Sequence, residues 1–552
     1  MTAHQTPADA RRAASLMFLR DGAAGLEVLM LRRAERDGDL RSGACVFPGG
    51  VLDAADRDAH RWVLGADDRT ASESLALPEG GLDYLVAAVR ESFEEVGLLL
   101  ACHADGSPTD VSTEALLPWR LRLQQADTSM AEICAAFDLR LDLRSLHYHS
   151  HWLTPPGLPK RFDTRFFTVL APPGQEAQAD RGEAVELMWT TPAAALGPGS
   201  GYKLLPVTRR TLMALSRFDA AEAAHAEAGA RRDIPLIMPR RGASRQGPRI
   251  VLPHEHAYAE IARLDPDGSR PASAEIVPGA VVRLSPRILR ITAPNPGVMT
   301  GPGTNSYLVA DPAGDGWALI DPGPHDVSHC QALLAAAAGR LTQVFVTHTH
   351  KDHSPGADAL RRATGAPVLG RRPPAQAGHD ERFEPDAEPA HGQRFSLGPT
   401  TTLRVVHTPG HASNHLCFLL EEERTLFTGD HVMQGSTVVI NPPDGDMAAY
   451  LQALQDLLQE DLDWLAPGHG FLVADPPAVL RALIAHRLRR EAKVLQALRT
   501  HGPGDLAALV RPVYDDVPES LHPVAQRSLL AHLLKLLRDG AASEAAGRWS
   551  AR

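Results

Sequence analysis

The chain has 552 residues, 44% of them hydrophobic and 22% charged, which allows three or four domains with ordinary cores and excludes gross disorder. A formal net charge of -11 argues against a molecule whose whole surface seeks polyphosphate, so nucleic acid is left with local patches only. Five scattered cysteines, Cys45, Cys102, Cys134, Cys330 and Cys417, show no paired spacing, so neither a thiolate metal site nor a disulfide framework is expected and a reducing, cytoplasmic location is. Met1 to Ala14 lacks an apolar core of signal-peptide length, and no unbroken apolar span long enough for a bilayer follows, so no membrane partner is expected.

In chain order the first chemical signal is Phe47-Pro48-Gly49-Gly50, a strand-ending turn, and after it Arg90-Glu91-Ser92-Phe93-Glu94-Glu95-Val96-Gly97-Leu98 in a helical pattern. The spacing i, i+3, i+4 sets Glu91, Glu94 and Glu95 on one helix face, where three carboxylates repel one another unless divalent cations neutralise them. Oxygen ligands favour magnesium or manganese, and an ion of that kind holds a diphosphate. These residues resemble the box of the Nudix hydrolases, and the resemblance covers about residues 10–240. It implies an α/β/α sandwich in which Glu94 and Glu95 are ligands of Mg or Mn, Glu91 is a ligand or the general base, and Arg90 orients a carboxylate. Asp53 and Asp56 stand where that family usually has glutamates, and Ala66 to Gly81 reads as a polar surface insertion. The inserted box, with the segment His151 to Phe167, is similar to the branch that includes peroxisomal coenzyme A diphosphatases, and Arg32, Arg33 and Arg41 loosely echo its coenzyme A signature. The implied substrate is a nucleoside-diphosphate compound such as coenzyme A. The cluster His147-Tyr148-His149-Ser150-His151 has no nearby Cys or spaced partner motif, so it reads as a polar connection or strand rather than a metal site.

Pro239 to Arg249 is basic and rich in helix breakers, and Asp265 to Pro271 is polar, so residues 241–275 read as an exposed linker. A second domain is expected over 276–480, opening with the strand-like Val281 to Ile291.

Within it, the apolar run Leu341 to Val346 reads as a buried strand and leads into His348-Thr349-His350-Lys351-Asp352-His353. Alternate residues of extended chain point the same way, so His348 and His350 can grip one ion while Asp352 and His353, turning into the next helix, grip a second. Three further candidates follow beside Gly or Pro after apolar runs: His411, Asp430 and His469. This ordered set resembles the metallo-β-lactamase superfamily, whose fold is an αβ/βα sandwich holding two zinc ions. The resemblance implies His348, His350 and His411 on the first metal, Asp352, His353 and His469 on the second, and Asp430 between them. Nitrogen and carboxylate donors without thiolate suit zinc, and iron or manganese also occupy such sites. The implied chemistry is hydrolysis by metal-bound water, with Asp352 orienting the nucleophile. His415 is expected either to protonate the leaving group or to buttress a ligand.

Beyond His469 the pattern turns helical. Residues 481–552 carry 12 Lys and Arg against 7 Asp and Glu, about +5, and resemble the small winged-helix-like tail of one branch of the superfamily. That branch, with Asn295 to Tyr307 and Pro442 to Met447 as further likenesses, contains the single-strand endoribonuclease β-lactamase-like protein 2; its fold neighbour glyoxalase II cleaves glutathione thioesters. The expectation is therefore a bifunctional metallohydrolase of small molecules: ester, thioester or phosphodiester cleavage by the second domain and diphosphate cleavage by the first. The alternatives are an endoribonuclease whose basic tail holds RNA, and a zinc hydrolase regulated by a nucleotide-sensing, non-catalytic Nudix module. Nothing in the residues fixes an oligomeric state.

Overall fold

The computed structural model describes residues 6–35, 42–179, 184–375 and 378–552; Arg41 lies outside them. The chain divides into two compact units, Met1–Arg241 with Asp267–Arg270, and Gly242–Pro266 with Pro271–Arg552.

The first unit is built on the strand Ala10–Gly22, whose middle, Ala13 to Leu19, is buried without alternation, as a strand covered on both faces must be. It pairs antiparallel with Gly25–Arg33 and with Gly49–Val51, and parallel with Arg161–Leu170. The helix Gly81–Val96 lays Tyr84, Ala88, Val89 and Phe93 against Leu16, Phe18, Leu29 and Leu31 of the sheet. Each fully buried Leu, Val or Phe among them contributes about 1.5–3 kcal/mol. The expected surface insertion is in part a structural element. Residues Asp68–Ser74 form a helix whose Ala71, with Leu75 just beyond it, joins the core. The helix Gly81–Val96 starts at Gly80 with no side-chain cap of its own. The insertion supplies what is missing: Asp68 accepts the Gly80 and Leu82 N–H groups at 3.1 and 3.0 Å, and Ser72 Oγ accepts that of Gly81 at 2.9 Å, satisfying donors that the first helical turn leaves orphaned.

In the second unit two six-stranded sheets face each other. The first runs Val281–Arg283, Ile288–Thr292, Asn305–Val309, Trp317–Ile320, Leu341–Phe345, Val368–Leu369; the second runs Arg394–Gly398, Thr401–His407, Leu416–Leu420, Thr425–Gly429, Trp464–Pro467, Val473–Ala474. Their shared core includes Tyr307, Phe345, Phe418 and Phe427, with ring centroids 5.0–5.2 Å apart. Helices Val327–Ala336 and Ala357–Thr364 cover the outer face of the first sheet, and Met447–Leu457 and Pro476–His501 that of the second. The result is an αβ/βα sandwich. The tail adds helices Leu506–Val513 and His522–Arg538 and the hairpin Ala542–Ala545 with Arg548–Ala551, packed on Val494 and Leu498.

Two expectations about the chain's divisions differ from the packing. The segment read as a linker holds the helix Tyr258–Leu264, with Ile261 fully buried and Glu260 only 2% exposed. The Glu260 carboxylate takes a two-pronged ion pair from buried Arg290, at 2.6 and 2.9 Å, and the Leu472 N–H at 2.9 Å, which ties the segment into the second unit. Residue 480, expected as the end of the second domain, lies inside the unbroken helix Pro476–His501.

Candidate functional site

The strand Leu341–Phe345 ends in Val346 and Thr347, and the chain then turns so that the side chains of His348, His350, Asp352 and His353 converge with His411, Asp430 and His469 from the loops following three later strands. Two adjoining clusters result, His348, His350, His411 and Asp430 in one, and Asp352, His353 and His469 in the other, each with donor atoms within 4.8 Å of one another. In the first, His350 Nδ1 lies 2.9 Å from His348 Nε2 and 3.0 Å from His411 Nε2. In the second, His353 Nε2 and His469 Nε2 each sit 3.3–3.4 Å from Asp352 Oδ2 and from Asp430 Oδ1. Asp430 belongs to both, because its other oxygen, Oδ2, lies 3.7 Å from His411 Nε2.

The backing of each imidazole decides which nitrogen carries the proton. His353 Nδ1 donates to Asp321 at 2.8 Å, His411 Nδ1 to the Val439 carbonyl at 2.8 Å, and His469 Nδ1 to the Gly303 carbonyl at 3.1 Å. Those acceptors have no proton to give, so each Nε2 presents a lone pair inward. His348 follows suit: Thr347 Oγ1 donates to Asp321 at 2.8 Å and accepts from His348 Nδ1 at 3.0 Å. Burial, followed by the neighbouring imidazoles, holds His348 well below the ordinary histidine value and His350 at about 3, so both are neutral donors at physiological pH. In the second cluster burial opposes the charge on His469, but Asp430 and Asp352 outweigh it and raise the group to about 9. A proton is attracted to where a cation would sit. Among the described residues His353 Nε2, His469 Nε2 and Asp430 Oδ1 are buried with no hydrogen-bond partner, an arrangement that costs free energy unless something else satisfies it. This donor set fits a divalent ion in each cluster.

Close packing at the centre explains its glycines. A Cβ on Gly468 would meet Asp430 Oδ1 and His353 Cε1 at 2.8 Å, and one on Gly429, at φ +45°, would come within 2.8 Å of His415 Nε2. His415 is fully buried behind the cluster. Its Nε2 accepts the Asp430 N–H at 3.2 Å and its Nδ1 donates to Thr408 Oγ1 at 2.9 Å. Both ring nitrogens are thus engaged within the fold, an arrangement suited to a buttress. Asp321, His379 and Asp444 were not readable as site residues. Asp321 follows the strand Trp317–Ile320 and supports Thr347 and His353 together; an Asp-Pro-Gly turn after an apolar run is its only sequence signal. His379 lies tilted against His350 with ring centroids 4.7 Å apart, contacts Thr349 Oγ1 at 2.8 Å and reaches Asp444 at 3.2 Å.

In the first unit the three expected carboxylates part company. Arg90 Nη1 lies between Glu91 and Glu94, at 2.9 and 3.1 Å, while its other edge forks onto Asp56 at 2.7 and 3.3 Å and onto the Val51 carbonyl. Glu95 turns instead to the Gly49 N–H at 2.8 Å. Among the described residues these glutamates do not form a cluster as tight as the two in the second unit. Desolvation raises Glu91 to about 7 and raises Glu94 as well, Arg90 opposing it in both. Gly50 leaves the space for this, since a Cβ there would come within 2.4 Å of the Glu91 carboxyl. Asp56, only 1% exposed, is a partner of Arg90 from below and not an exposed ligand. The strand His147–Leu153 takes up the histidine cluster, with His151 bonded to Asp163.

The family model of the metallo-beta-lactamase superfamily matches residues 299–469, that of the NUDT19 Nudix domain residues 58–198, and that of the beta-lactamase associated winged helix domain residues 506–549. An atrochrysone carboxyl ACP thioesterase of Aspergillus chevalieri is 34% identical over 47% of this chain and 83% of its own length. The chain belongs to the metallo-β-lactamase superfamily. It carries a NUDT19-type Nudix domain before that fold and a winged helix after it. The beta-lactamase-like protein 2 homolog of Drosophila melanogaster is 31% identical over 47% of this chain and 91% of its own. A Nudix hydrolase structure from Alicyclobacillus acidocaldarius is 29% identical, covering 40% of this chain and 96% of that one at a TM-score of 0.34. Membership makes the protein a metal-binding hydrolase, and among the described residues no helix is long and apolar enough to cross a membrane.

Proposed function

We propose that the second unit hydrolyses an acyl thioester carried on a pantetheine-type arm, and that the first cleaves the diphosphate of the coenzyme A-like molecule bearing that arm. The convergence of seven imidazole and carboxylate side chains on two adjoining points supports this reading most strongly, and a relative named as a thioesterase supports the substrate class. Two divalent ions, zinc by preference for this donor set, would supply a water nucleophile at neutral pH and polarise the carbonyl when bound.

The side chains have separate parts. His348, His350 and His411 would hold the first ion and His353 and His469 with Asp352 the second, with Asp430 placed between the two clusters. Asp352 is the most open of the carboxylates, its side chain 26% exposed; it accepts a hydrogen bond from the attacking water and aligns its lone pair. Thr304 Oγ1, 3.4 Å from Asp352 Oδ2, steadies that carboxylate. In the first unit Glu94 and Glu95 would hold magnesium or manganese, which would neutralise the diphosphate, and Glu91, raised to about 7 by burial, would take the proton from the attacking water. Both reactions act on one class of molecule, which gives the fusion a chemical reason.

The test is a parallel hydrolysis screen of the full-length, metal-analysed protein on acyl-coenzyme A, coenzyme A, lactoylglutathione and a single-stranded RNA oligomer. It is run beside Asp352→Ala with His353→Ala, and beside Glu94→Gln with Glu95→Gln. Thioester cleavage lost only in the first variant and diphosphate cleavage lost only in the second are the expected outcomes. RNA cleavage lost in the first variant, with acyl-coenzyme A left intact by the wild type, overturns the reading in favour of a nuclease. Diphosphate cleavage unaffected by the glutamate changes assigns the first unit to binding alone.

A further inference from the structure

Part of the tail's positive charge is paired within the second unit. Arg490 pairs with Asp516 at 2.7 and 2.9 Å, Lys493 with Asp515, and Lys535 with Glu491 and Asp539. Two of its arginines and a serine reach one loop of the metallo-β-lactamase fold, residues 438–446. Arg487, on the helix Pro476–His501 and 3% exposed, donates to the Val438 carbonyl while its guanidinium lies 5.3 Å over the Tyr450 ring. Ser528 Oγ, on the helix His522–Arg538, accepts the Ile440 N–H at 3.4 Å. Arg538 forks onto both Asp446 oxygens at 2.7 Å each. The residue between the first two contacts is Val439, whose carbonyl fixes the tautomer of His411. The far end of the loop is bound to the same centre: the Asp446 N–H donates to the Gly410 carbonyl at 2.8 Å, and Asp444 accepts from Ser413 N–H at 3.2 Å.

We infer that the C-terminal helices are a positioning element for the three-histidine half of the metal centre, with Arg487 the residue that sets the Val439 carbonyl against His411. This rests on the reading of His348, His350 and His411 as metal ligands. The physical argument is one of register. A peptide carbonyl points where its two flanking peptide units let it, and here one flank is clamped by a buried guanidinium and the other by a buried hydroxyl. Charge-assisted hydrogen bonds to a carbonyl are about twice as strong as neutral ones, so Arg487 outweighs Ser528 in the clamp. Without it Val438–Val439 can rotate, His411 loses its Nδ1 acceptor, and its Nε2 is no longer held toward His350. Removing a partner that orients a ligand typically costs 10–100-fold in metal affinity.

The experiment uses the full chain, stripped of metal and titrated with zinc against a chromophoric chelator, so it reads binding and needs no substrate. Arg487→Met keeps the length and apolar stem of the side chain and removes its donors. Arg487→Lys restores one donor. Arg490→Met is the control, since Arg490 is a buried arginine on the same helix that serves Asp516 and the Val513 carbonyl but not the loop. The expected result is at least about tenfold weaker binding of one of two zinc ions in Arg487→Met, partial recovery in Arg487→Lys, and unchanged affinities in Arg490→Met with circular dichroism as in the wild type. Two zinc ions bound by Arg487→Met with wild-type affinities, or the same loss in Arg490→Met, overturns the inference. Should the protein bind two zinc ions yet hydrolyse no thioester, the proposed substrate fails while this inference stands.

Discussion

Asp321→Asn tests the backing of the second cluster with the smallest change available. The substitution keeps the size of the side chain, and Asn tolerates the left-handed backbone that Asp321 adopts at φ +54°. Asp321 Oδ1 accepts the Thr347 N–H at 2.8 Å, while Oδ2 accepts Thr347 Oγ1 and His353 Nδ1, both at 2.8 Å. An asparagine that keeps its oxygen on the Thr347 N–H turns its NH2 toward His353 Nδ1, so two donors face each other. The imidazole escapes by carrying its proton on Nε2, the atom 3.4 Å from Asp352 and Asp430, and a protonated nitrogen is no ligand. The cost expected is a 10–100-fold loss of affinity for one ion, or about 1.4–2.7 kcal/mol. Calorimetric zinc titration of the stripped protein measures it, with thermal melting of the same stripped sample to show that the fold survives. Two ions bound by Asp321→Asn as tightly as by the wild type would refute the claim that Asp321 sets the His353 tautomer.

Glu260→Gln leaves the buried Arg290 guanidinium with an uncompensated charge, and about 3–5 kcal/mol of stability should go with it; a free energy of unfolding from urea titration of the second unit within about 1 kcal/mol of the wild type would contradict the role given to this pair. The first unit should weaken in acid. Burial, with Arg231 adding to it, brings His149 to about 4, and burial with His147 does the same for His225. The unfolded chain takes up protons at these imidazoles below about pH 6.5, whereas the folded unit does so only near pH 4. Stability is therefore full above pH 6.5 and declines as pH falls toward 4, by up to about 3 kcal/mol per histidine. A flat urea midpoint over that interval, followed by tryptophan fluorescence, would remove the argument, and His225→Leu should shrink the slope. The two centres should also part under chelation. Imidazole-rich clusters favour zinc-like ions and carboxylates favour magnesium, so a zinc-selective chelator should abolish thioester cleavage and spare diphosphate cleavage measured in excess magnesium. Equal loss of both would mean that one ion type serves both units.

What the sequence made legible follows from what each kind of residue must do. Metal binding needs particular side chains at strand ends, and few other uses explain His348 to His353, so seven candidate ligands stand out in the sequence; the structure brings these side chains together at two points. Their supports left almost no trace. The acceptors for His411 and His469 are the carbonyls of Val439 and Gly303, and a backbone carbonyl is common to every residue type. Asp321 is an ordinary acidic residue in a turn until the fold sets it beneath Thr347 and His353.

The same reasoning explains where composition misled. Residues 241–275 are rich in Pro, Gly and Arg and so resemble a tether, yet one short helix places Glu260 against Arg290, and a single buried ion pair outweighs the polarity around it because a charge left alone there costs several kcal/mol. The insertion Ala66 to Gly81 looks dispensable for the same reason, but a helix opening at Gly80 needs acceptors for its first N–H groups, and Asp68 and Ser72 are those acceptors. The positive tail divides in the same way. Arg490, Lys493, Lys535 and Arg538 are each held by a carboxylate, while Arg481, Arg489, Arg499, Arg511 and Arg527 are exposed. Net charge counts residues without regard to partners, and the fold shows which of that charge is paired and which faces solvent.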